Sequence, residues 1–431
     1  MNIVFLAIVM IAFFTAGWRQ LIWVSQNGET SPMEGLSRAM VESAGGAVEL
    51  ALGLIGVMTL FLGLMKIAEA GGMLKVIARL IRPLMVRLFP EVPSDHPAMG
   101  AMILNFSANA LGLGNAATPF GVRAMQELDR LNSRQGTATD AMVLFLAINT
   151  SSITLLPTGV IALRASAGSG DPAGILPTTL FATACSTIIA ILAARFYGRF
   201  FKFRNSDDVT EIKAAESPSR GEDETEQESF EKAYPLWISG FALLILVAII
   251  PLTIFYGKAI SPWIIPCLMA GFLVFGFLRK VRIYEVFVEG AKEGFQVAIK
   301  IIPYLVAILV AVGTLRASGA MDAIVGSLGQ WTNRVGLPAE ALPMALLRPL
   351  SGSGAYGIMA SIINEPSIGP DSYVGYLVTT LQGSTETTFY VMAVYFGAIQ
   401  IRRVRHAMIA ALTADLAGIM GAVAVCTYLY G

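Results

Sequence analysis

The chain has 431 residues, of which 55% are hydrophobic and only 14% are charged, and its mean hydropathy is +0.66. This apolar content exceeds what a soluble protein of this length needs for a core, so it predicts an integral membrane protein. The net charge is zero, but residues 205–232 hold ten acidic against three basic residues, so the rest of the chain is basic. No basic run is interleaved with aromatic residues, which argues against nucleic-acid binding.

Apolar stretches of about 20 residues have the length of a membrane-spanning helix. Nine such spans are predicted, at residues 2–24, 47–68, 141–163, 175–198, 235–257, 260–279, 297–315, 373–398 and 407–430. Two further apolar stretches, 98–122 and 341–360, are interrupted by glycine, proline and polar residues. Backbone released from a helix in a bilayer must find partners in protein or beside a polar cavity, so each interruption suggests a binding site.

An acidic linker at residues 205–232 is poor in apolar residues and divides the chain into two halves. Residues 1–24 are predicted to form a first transmembrane helix, with a cleaved signal peptide as the alternative, and residues 25–204 form the first repeat. Residues 233–282 supply two connecting helices, and residues 283–431 form the second repeat.

Lysine and arginine in short loops favour the cytoplasmic side of a membrane. The basic loops on either side of the linker and before the last helix therefore predict a bacterial inner-membrane protein with a cytoplasmic linker. By the same count the broken segment 98–122 enters and leaves on the cytoplasmic side, so it is predicted to be re-entrant. A helix with Lys75, Arg79 and Arg82 on one face is predicted to lie in the interface beside it.

The two halves present the same elements in the same order. A Val-Glu pair starts a long apolar span at Val41 and again at Val288, and an amphipathic piece follows each span. Next come a broken segment, GLGNAATPFG or RPLSGSGAYG, and a span with a polar cluster, NTSSITLLP or GSTETTFY. The charge count orients the two halves oppositely. An all-α polytopic membrane protein with two inverted repeats, each with a re-entrant segment, is typical of secondary transporters. A duplicated membrane scaffold is the alternative.

Ionisable residues at membrane depth are costly and mark functional candidates. Glu386 lies in a run of serine and threonine and could bind substrate, a proton or sodium, or it could form a structural pair with Arg348. Arg348 precedes Pro349 and a Ser-Gly run and suits an anionic ligand, with a snorkelling side chain as the alternative. Glu49 and Asp415 are further candidates for ion coupling.

Polar side chains of the broken segments complete the predicted substrate site. Asn105, Asn109 and Asn115 offer paired donors and acceptors, although asparagine also satisfies broken helices structurally. The remaining candidates are Thr118, Asn149, Thr150, Ser151, Ser152, Ser351, Ser353, Ser384 and Thr385. There is no GxxxxGK[ST] loop and no HExxH motif, so neither an enzyme nor an ATP-driven pump is expected. No cofactor or metal site is expected beyond Na⁺ or H⁺ as the coupling ion.

These motifs carry a family resemblance. GLGNAATPFGVRAM resembles the signature of the spore maturation protein A family, and RPLSGSGAYGIM with GSTETTFYVMAVYFGAIQIRRVRHA resembles that of the B family. The whole chain resembles a fusion of the two. Both families belong to the nucleoside recognition, or Gate, superfamily, which is distantly related to the concentrative nucleoside transporters. The resemblance implies a polytopic inner-membrane protein of transporter type with re-entrant hairpins.

The expected function is secondary transport of a small polar solute, a nucleoside or a small carboxylate, by alternating access coupled to H⁺ or Na⁺. One alternative is a non-transporting scaffold or regulator of envelope or spore maturation. Another is translocation of an anionic lipid headgroup. The expected partners are the solute and the lipid bilayer, with a homo-oligomer as a further expectation.

Overall fold

A computed structural model describes residues 2–24, 30–112, 114–152, 154–201 and 234–431. The predicted acidic linker, residues 205–232, lies outside the described residues. Before it, the helices are α1 (Asn2–Leu21), α2 (Pro32–Ala70), α3 (Met73–Leu88), α4 (Pro97–Ala110), α5 (Gly114–Arg130), α6 (Asp140–Thr150), α7 (Thr158–Ser166) and α8 (Ile175–Gly198). After it come α9 (Leu236–Leu278), α10 (Ile283–Ala317), α11 (Ala320–Thr332), α12 (Leu342–Leu347), α13 (Gly352–Ile363), α14 (Tyr373–Ser384), α15 (Thr388–Ala398) and α16 (Ala407–Tyr430).

The predicted all-α class is confirmed, since the described residues form helices and no named strand. Within this part of the chain, α2, α8 and α16 are each long and apolar enough to cross a membrane. Several shorter apolar helices lie beside them, and α1 covers the predicted first span. The chain is a multi-pass membrane protein.

Helix α9 corrects one sequence-based prediction. The two spans expected at 235–257 and 260–279 form one continuous helix of 43 residues. The backbone continues as a helix through the two residues that separate the predicted spans. At 1.5 Å per residue α9 is roughly 65 Å long, about twice the thickness of the hydrocarbon core.

The long helices α2 and α10 occupy matching positions in the two repeats and pack against each other antiparallel. Gly290 of α10 lies against Leu62 of α2, and further along α10 Gly313 lies against Ser43. Residue numbers therefore rise along one helix as they fall along the other. Because glycine has no Cβ, it allows the two backbones to approach closely, as is common between membrane helices.

The closing helices α8 and α16 are also antiparallel. The hydroxyl of Tyr430, at the end of α16, donates to the carbonyl of Gly174 at the start of α8 over 3.0 Å. At the opposite end, Arg405 donates to the carbonyl of Phe201 over 2.9 Å. Matching helices of the two halves therefore run in opposite directions, which agrees with the predicted inversion.

The basic loops assigned to one side of the membrane lie at one end of the fold. The backbone amide of Arg402 donates to the carbonyl of Gly136 over 2.9 Å. Arg195 reaches the carbonyl of Leu88, at the end of the amphipathic helix α3, over 3.4 Å. These contacts place the loops after α3, α5, α8 and α15 together, as the charge count requires.

Arg164 joins the two repeats at the other end. Its fully buried side chain donates to the carbonyl of Pro370 over 2.6 Å and to Asp371 Oδ1 over 2.8 Å. The guanidinium also lies 4.1 Å from the ring centroid of Tyr376 on α14. The end of α7 is thereby fixed to the start of α14.

We expect Arg164→Met to lower the free energy of unfolding by about 3 kcal/mol, because it leaves several buried acceptors without a donor. Thermal unfolding of the detergent-solubilised protein measures the loss. Arg123→Met is the matched control, since Arg123 lies exposed on α5. Equal melting temperatures for the two variants would contradict the assigned role of Arg164.

Candidate functional site

Two helix breaks lie at the centre of the fold. The span predicted at 141–163 is divided into α6 and α7, and the span predicted at 373–398 is divided into α14 and α15. Both were counted as single spans in the sequence prediction. A helix break was considered there only beside Glu386, so the break in the first of these spans is a correction. In the first break Ser152 adopts a left-handed conformation with φ of 47°, and in the second Thr385 is extended. Neither conformation continues a right-handed helix.

The two broken helices run antiparallel with their breaks in contact. Asp140 at the start of α6 pairs with Arg405, just beyond α15, at 2.6 Å, while Arg164 pairs with Asp371 at the opposite end. In the middle, the amide of Glu386 donates to the carbonyl of Thr150 over 2.8 Å. Each break therefore satisfies backbone groups that a bilayer would leave unpaired.

The predicted broken segments are helical hairpins whose tips meet these breaks. The α4–α5 hairpin turns at Gly112, and the amide of Leu155 in the first break donates to Ala110 O over 3.0 Å. The α12–α13 hairpin turns after Arg348, and the amide of Phe389 donates to Pro349 O over 3.1 Å. Gly112 has φ of 75°, and a Cβ at this position would lie 2.8 Å from the carbonyl oxygen of Leu156. Glycine is therefore required at this tip.

A cavity of about 190 Å³ lies between the tips and the breaks. The first repeat contributes Asn109 and Ser152 to its wall, and the second contributes Arg348, Tyr356 and Glu386. Polar groups of both repeats thus converge on one cavity where the tips and the breaks meet.

Arg348 joins the second hairpin to the second break. Its side chain is 6% exposed, and it donates to Thr387 Oγ1 over 3.1 Å and to the carbonyl oxygen of Thr385. Glu386 lies 3.8 Å away and is 46% exposed, so the pair is loose on the side of the carboxylate. The two residues form an ion pair, but the carboxylate is not buried against Arg348 as the structural alternative expected.

Asp415 lies behind the second break on α16. Only 3% of its surface is exposed, and its Oδ2 accepts from the hydroxyl of Thr388 over 2.7 Å. Its Oδ1 has no hydrogen-bond partner among the described residues. Arg348 forms an ion pair with Glu386 and interacts electrostatically with Asp415 at longer range.

An amide network supports the first hairpin. Asn109 Nδ2 donates to Asn149 Oδ1 over 2.9 Å, and Asn105 Nδ2 donates to the carbonyl of Ala117 over 2.8 Å. Asn105 also contacts the hydroxyl of Tyr395 on α15 at 3.1 Å. The network connects α4, α5, α6 and α15, and of these amides Asn109 lines the cavity.

Other predicted site residues lie away from the cavity or form hydrogen bonds within their own helices. Ser151 and Ser384 donate to carbonyls of their own helices, at Ile148 and Leu381. Ser351 caps α13, Ser353 is exposed, Thr118 lies half-buried on α5, and the side chain of Asn115 lies outside the described residues. Glu49 lines a separate cavity of about 680 Å³ between α2 and α10.

Two further cavity residues were not among the sequence-based candidates. Tyr356 reaches across to the first repeat, where its hydroxyl donates to the carbonyl of Gly159 on α7 over 3.2 Å. Gln382 lies in the last turn of α14 with its Oε1 unpartnered in the described part of the chain. Gln382 could have been predicted from the sequence, because it lies four residues before Glu386. Tyr356 could not, because its contact is with the other repeat.

Comparison with known proteins agrees with this architecture. The family model named Gate, nucleoside recognition, matches residues 51–167 and 298–402, together more than half of the chain. Spore maturation protein B of Bacillus subtilis (strain 168) is 46% identical over 167 residues, which cover 39% of this chain and 93% of the relative. Spore maturation protein A of the same organism is 42% identical over 177 residues, 41% of this chain and 89% of the relative.

The two relatives match different halves. A solved structure of CNTnw in the intermediate 1 state is 13% identical, with a TM-score of 0.37, and the similarity covers 88% of this chain and 76% of that chain. The chain belongs to the Gate, or nucleoside recognition, family, with one half similar to each spore maturation protein.

Proposed function

We propose that the chain is a secondary transporter that moves a small polar solute by alternating access, with H⁺ or Na⁺ as the coupling ion. The observation that carries this proposal is the central cavity, where two antiparallel broken helices meet two hairpin tips. Discontinuous helices that face each other near the midplane form the solute sites of many secondary transporters. We place the protein in the bacterial inner membrane, with the start of its linker in the cytoplasm.

Uptake into proteoliposomes tests the proposal. The purified full chain is reconstituted, a proton or sodium gradient is imposed, and entry of labelled nucleosides, carboxylates and amines is followed. We expect gradient-dependent uptake of at least one solute, and we expect Glu386→Gln to abolish it without loss of expression. Glu340→Gln, an exposed carboxylate on a 3-10 turn, is the control. Full activity in Glu386→Gln would refute a role of this carboxylate in transport.

Deletion of residues 207–228 separates transport from a scaffolding role. The segment is acidic and poor in apolar residues, so a scaffold would use it to recruit a partner, whereas the cavity lies far from it in sequence. We expect the deletion variant to retain most of the uptake of the intact chain. A deletion variant that takes up solute normally but no longer supports envelope or spore maturation in cells would favour the scaffolding role instead.

A further inference from the structure

A second cavity lies beside the central one, at the end of the fold that holds Arg164. Its volume is about 680 Å³, and α2, α7, α10 and α13 contribute to its wall. Helices α7 and α13 also line the central cavity, through Gly159 and Tyr356. On α7, Ser166 of the second cavity lies seven residues beyond Gly159, which is roughly 10 Å along the helix axis. The two cavities therefore follow one another along the same helices, and we call the second one the outer cavity.

Charged residues in its wall require water in the outer cavity. Glu42, Glu49 and Arg316 line it, and the side chains of Glu42 and Arg316 are 62% and 42% exposed. Glu49 lies within the predicted span 47–68 and is also exposed. A charged group at that depth is costly against lipid, so it faces water. The basic loops lie at the opposite end of the fold, and the charge count therefore predicts that the outer cavity opens outside the cell.

Tyr356 of α13 lies between the two cavities. Its side chain lines the central cavity, and its hydroxyl donates to the carbonyl of Gly159 on α7 over 3.2 Å. Its ring packs against a buried cluster of Ala47, Ala51 and Leu305. The two alanines belong to the stretch of α2 that lines the outer cavity. One side chain thus connects α13 with α7, α2 and α10 at the level where one cavity ends and the other begins.

The contacts of Tyr356 suit a side chain that moves. In the described part of the chain a neutral hydrogen bond holds its hydroxyl, and such a bond contributes little net free energy because water can replace the partner. The neighbouring face of α2 offers empty space, since a Cβ built at Gly46 or at Gly53 would have no heavy atom of a neighbouring helix within 4 Å. Both glycines line the outer cavity. The outer cavity therefore has room for the ring to turn into it.

We propose that Tyr356 is the gate of the solute path, which closes the central cavity to the outer cavity while its hydroxyl is bonded to Gly159. Breaking this bond opens the path, so that solute enters from the outer side through the outer cavity and passes Glu49. This inference rests on the proposed transport function and adds the route of the solute and a residue that controls it.

Labelling of cysteine from one side of the membrane tests the gate. The full chain, with its three native cysteines replaced by alanine, is placed in right-side-out membrane vesicles. Gln382→Cys reports on the central cavity, and Ser361→Cys reports on the outer cavity. The probe is a membrane-impermeant methanethiosulfonate reagent with a trimethylammonium group, which is added outside the vesicles. Mass spectrometry measures the labelling rate, and the melting temperature of each variant establishes that it is folded.

We expect Ser361→Cys to react rapidly, and Gln382→Cys to react slowly while Tyr356 is intact. Tyr356→Phe should raise the rate at Gln382→Cys about three- to tenfold, because the population of the open state rises by the factor that one hydrogen bond contributes. Gly46→Leu, which fills part of the outer cavity, should lower the rate at Gln382→Cys, both alone and combined with Tyr356→Phe. Tyr428→Phe is the matched control, since Tyr428 is 71% exposed on α16.

Three outcomes overturn the gate. They are slow labelling of Ser361→Cys, labelling of Gln382→Cys as fast as that of Ser361→Cys in the presence of Tyr356, and equal rates in Tyr356→Phe and Tyr428→Phe. Proteoliposome uptake, measured separately, distinguishes this failure from failure of the proposed function. Gradient-driven uptake with unchanged labelling refutes the gate and keeps the transporter, whereas the expected labelling pattern without uptake of any solute keeps the path and refutes transport.

Discussion

Replacement of Arg348 by methionine is expected to lower the free energy of unfolding by about 3 kcal/mol, because it leaves two buried acceptors of the second break without a donor. The change removes the donors to Thr385 and Thr387 and leaves Asp415 without a nearby positive charge. The second hairpin should then separate from the second break. Thermal unfolding in detergent measures the loss of stability, and proteolysis measures exposure of the hairpin.

The double variant Arg348→Met/Asp415→Asn distinguishes charge from packing. If the buried carboxylate of Asp415 dominates the cost, neutralising it should recover a large part of the melting temperature. Arg123→Met, at an exposed position on α5, should melt like the intact protein. An Arg348→Met variant that is as stable as the Arg123→Met control would show that the contacts of Arg348 contribute little.

The sequence predicted the parts of the fold that depend on residue types within a short segment. Glycine, asparagine and proline in 98–122 identified the first hairpin, because these residues disfavour a continuous helix. The motif that begins at Arg348 identified the second hairpin by its similarity to the first. Loop charges predicted which ends of the helices lie together, and the contact of Arg402 with Gly136 agrees.

The breaks that divide the spans at 141–163 and 373–398 have a weaker sequence pattern. Their windows remain apolar on average, and serine and threonine within a membrane helix usually bond to their own helix. Ser151 and Ser384 do so here, while neighbouring residues leave the helix. The conformation of Ser152 is held by contacts with a different helix, including the bond from Thr183 to its carbonyl. Such tertiary contacts are absent from any local pattern.

The two repeats share a geometry but divide the chemistry of the site. The amides of Asn105, Asn109 and Asn149 come from the first repeat, whereas Arg348, Glu386 and Asp415 come from the second. The corresponding hairpin tip of the first repeat turns on Gly112, which has no side chain to bond across a break. The charged and the neutral side chains at the cavity therefore come from different repeats, and each repeat contributes part of the wall.

Asp415→Asn is expected to abolish accumulation of solute against its gradient while leaving exchange of solute across the membrane. Asp415 is buried, with one oxygen bonded to Thr388 and the other unpartnered in the described residues. A carboxylate at membrane depth is costly, which favours a group that takes up and releases a proton during the transport cycle. Asparagine keeps the size of the side chain and the acceptor for Thr388, but it cannot take up or release a proton.

Two assays on the same proteoliposomes make this test specific. Gradient-driven accumulation should fall to background in Asp415→Asn, because no proton can be carried with the solute. Counterflow exchange, which needs only the binding site and alternating access, should stay within about twofold of the intact protein, since Glu386 and the cavity are unchanged. Loss of both activities in a variant with a normal melting temperature would assign Asp415 to solute binding, and retention of both would remove it from ion coupling. The outcome also decides whether solute and ion bind at one charged centre or at two.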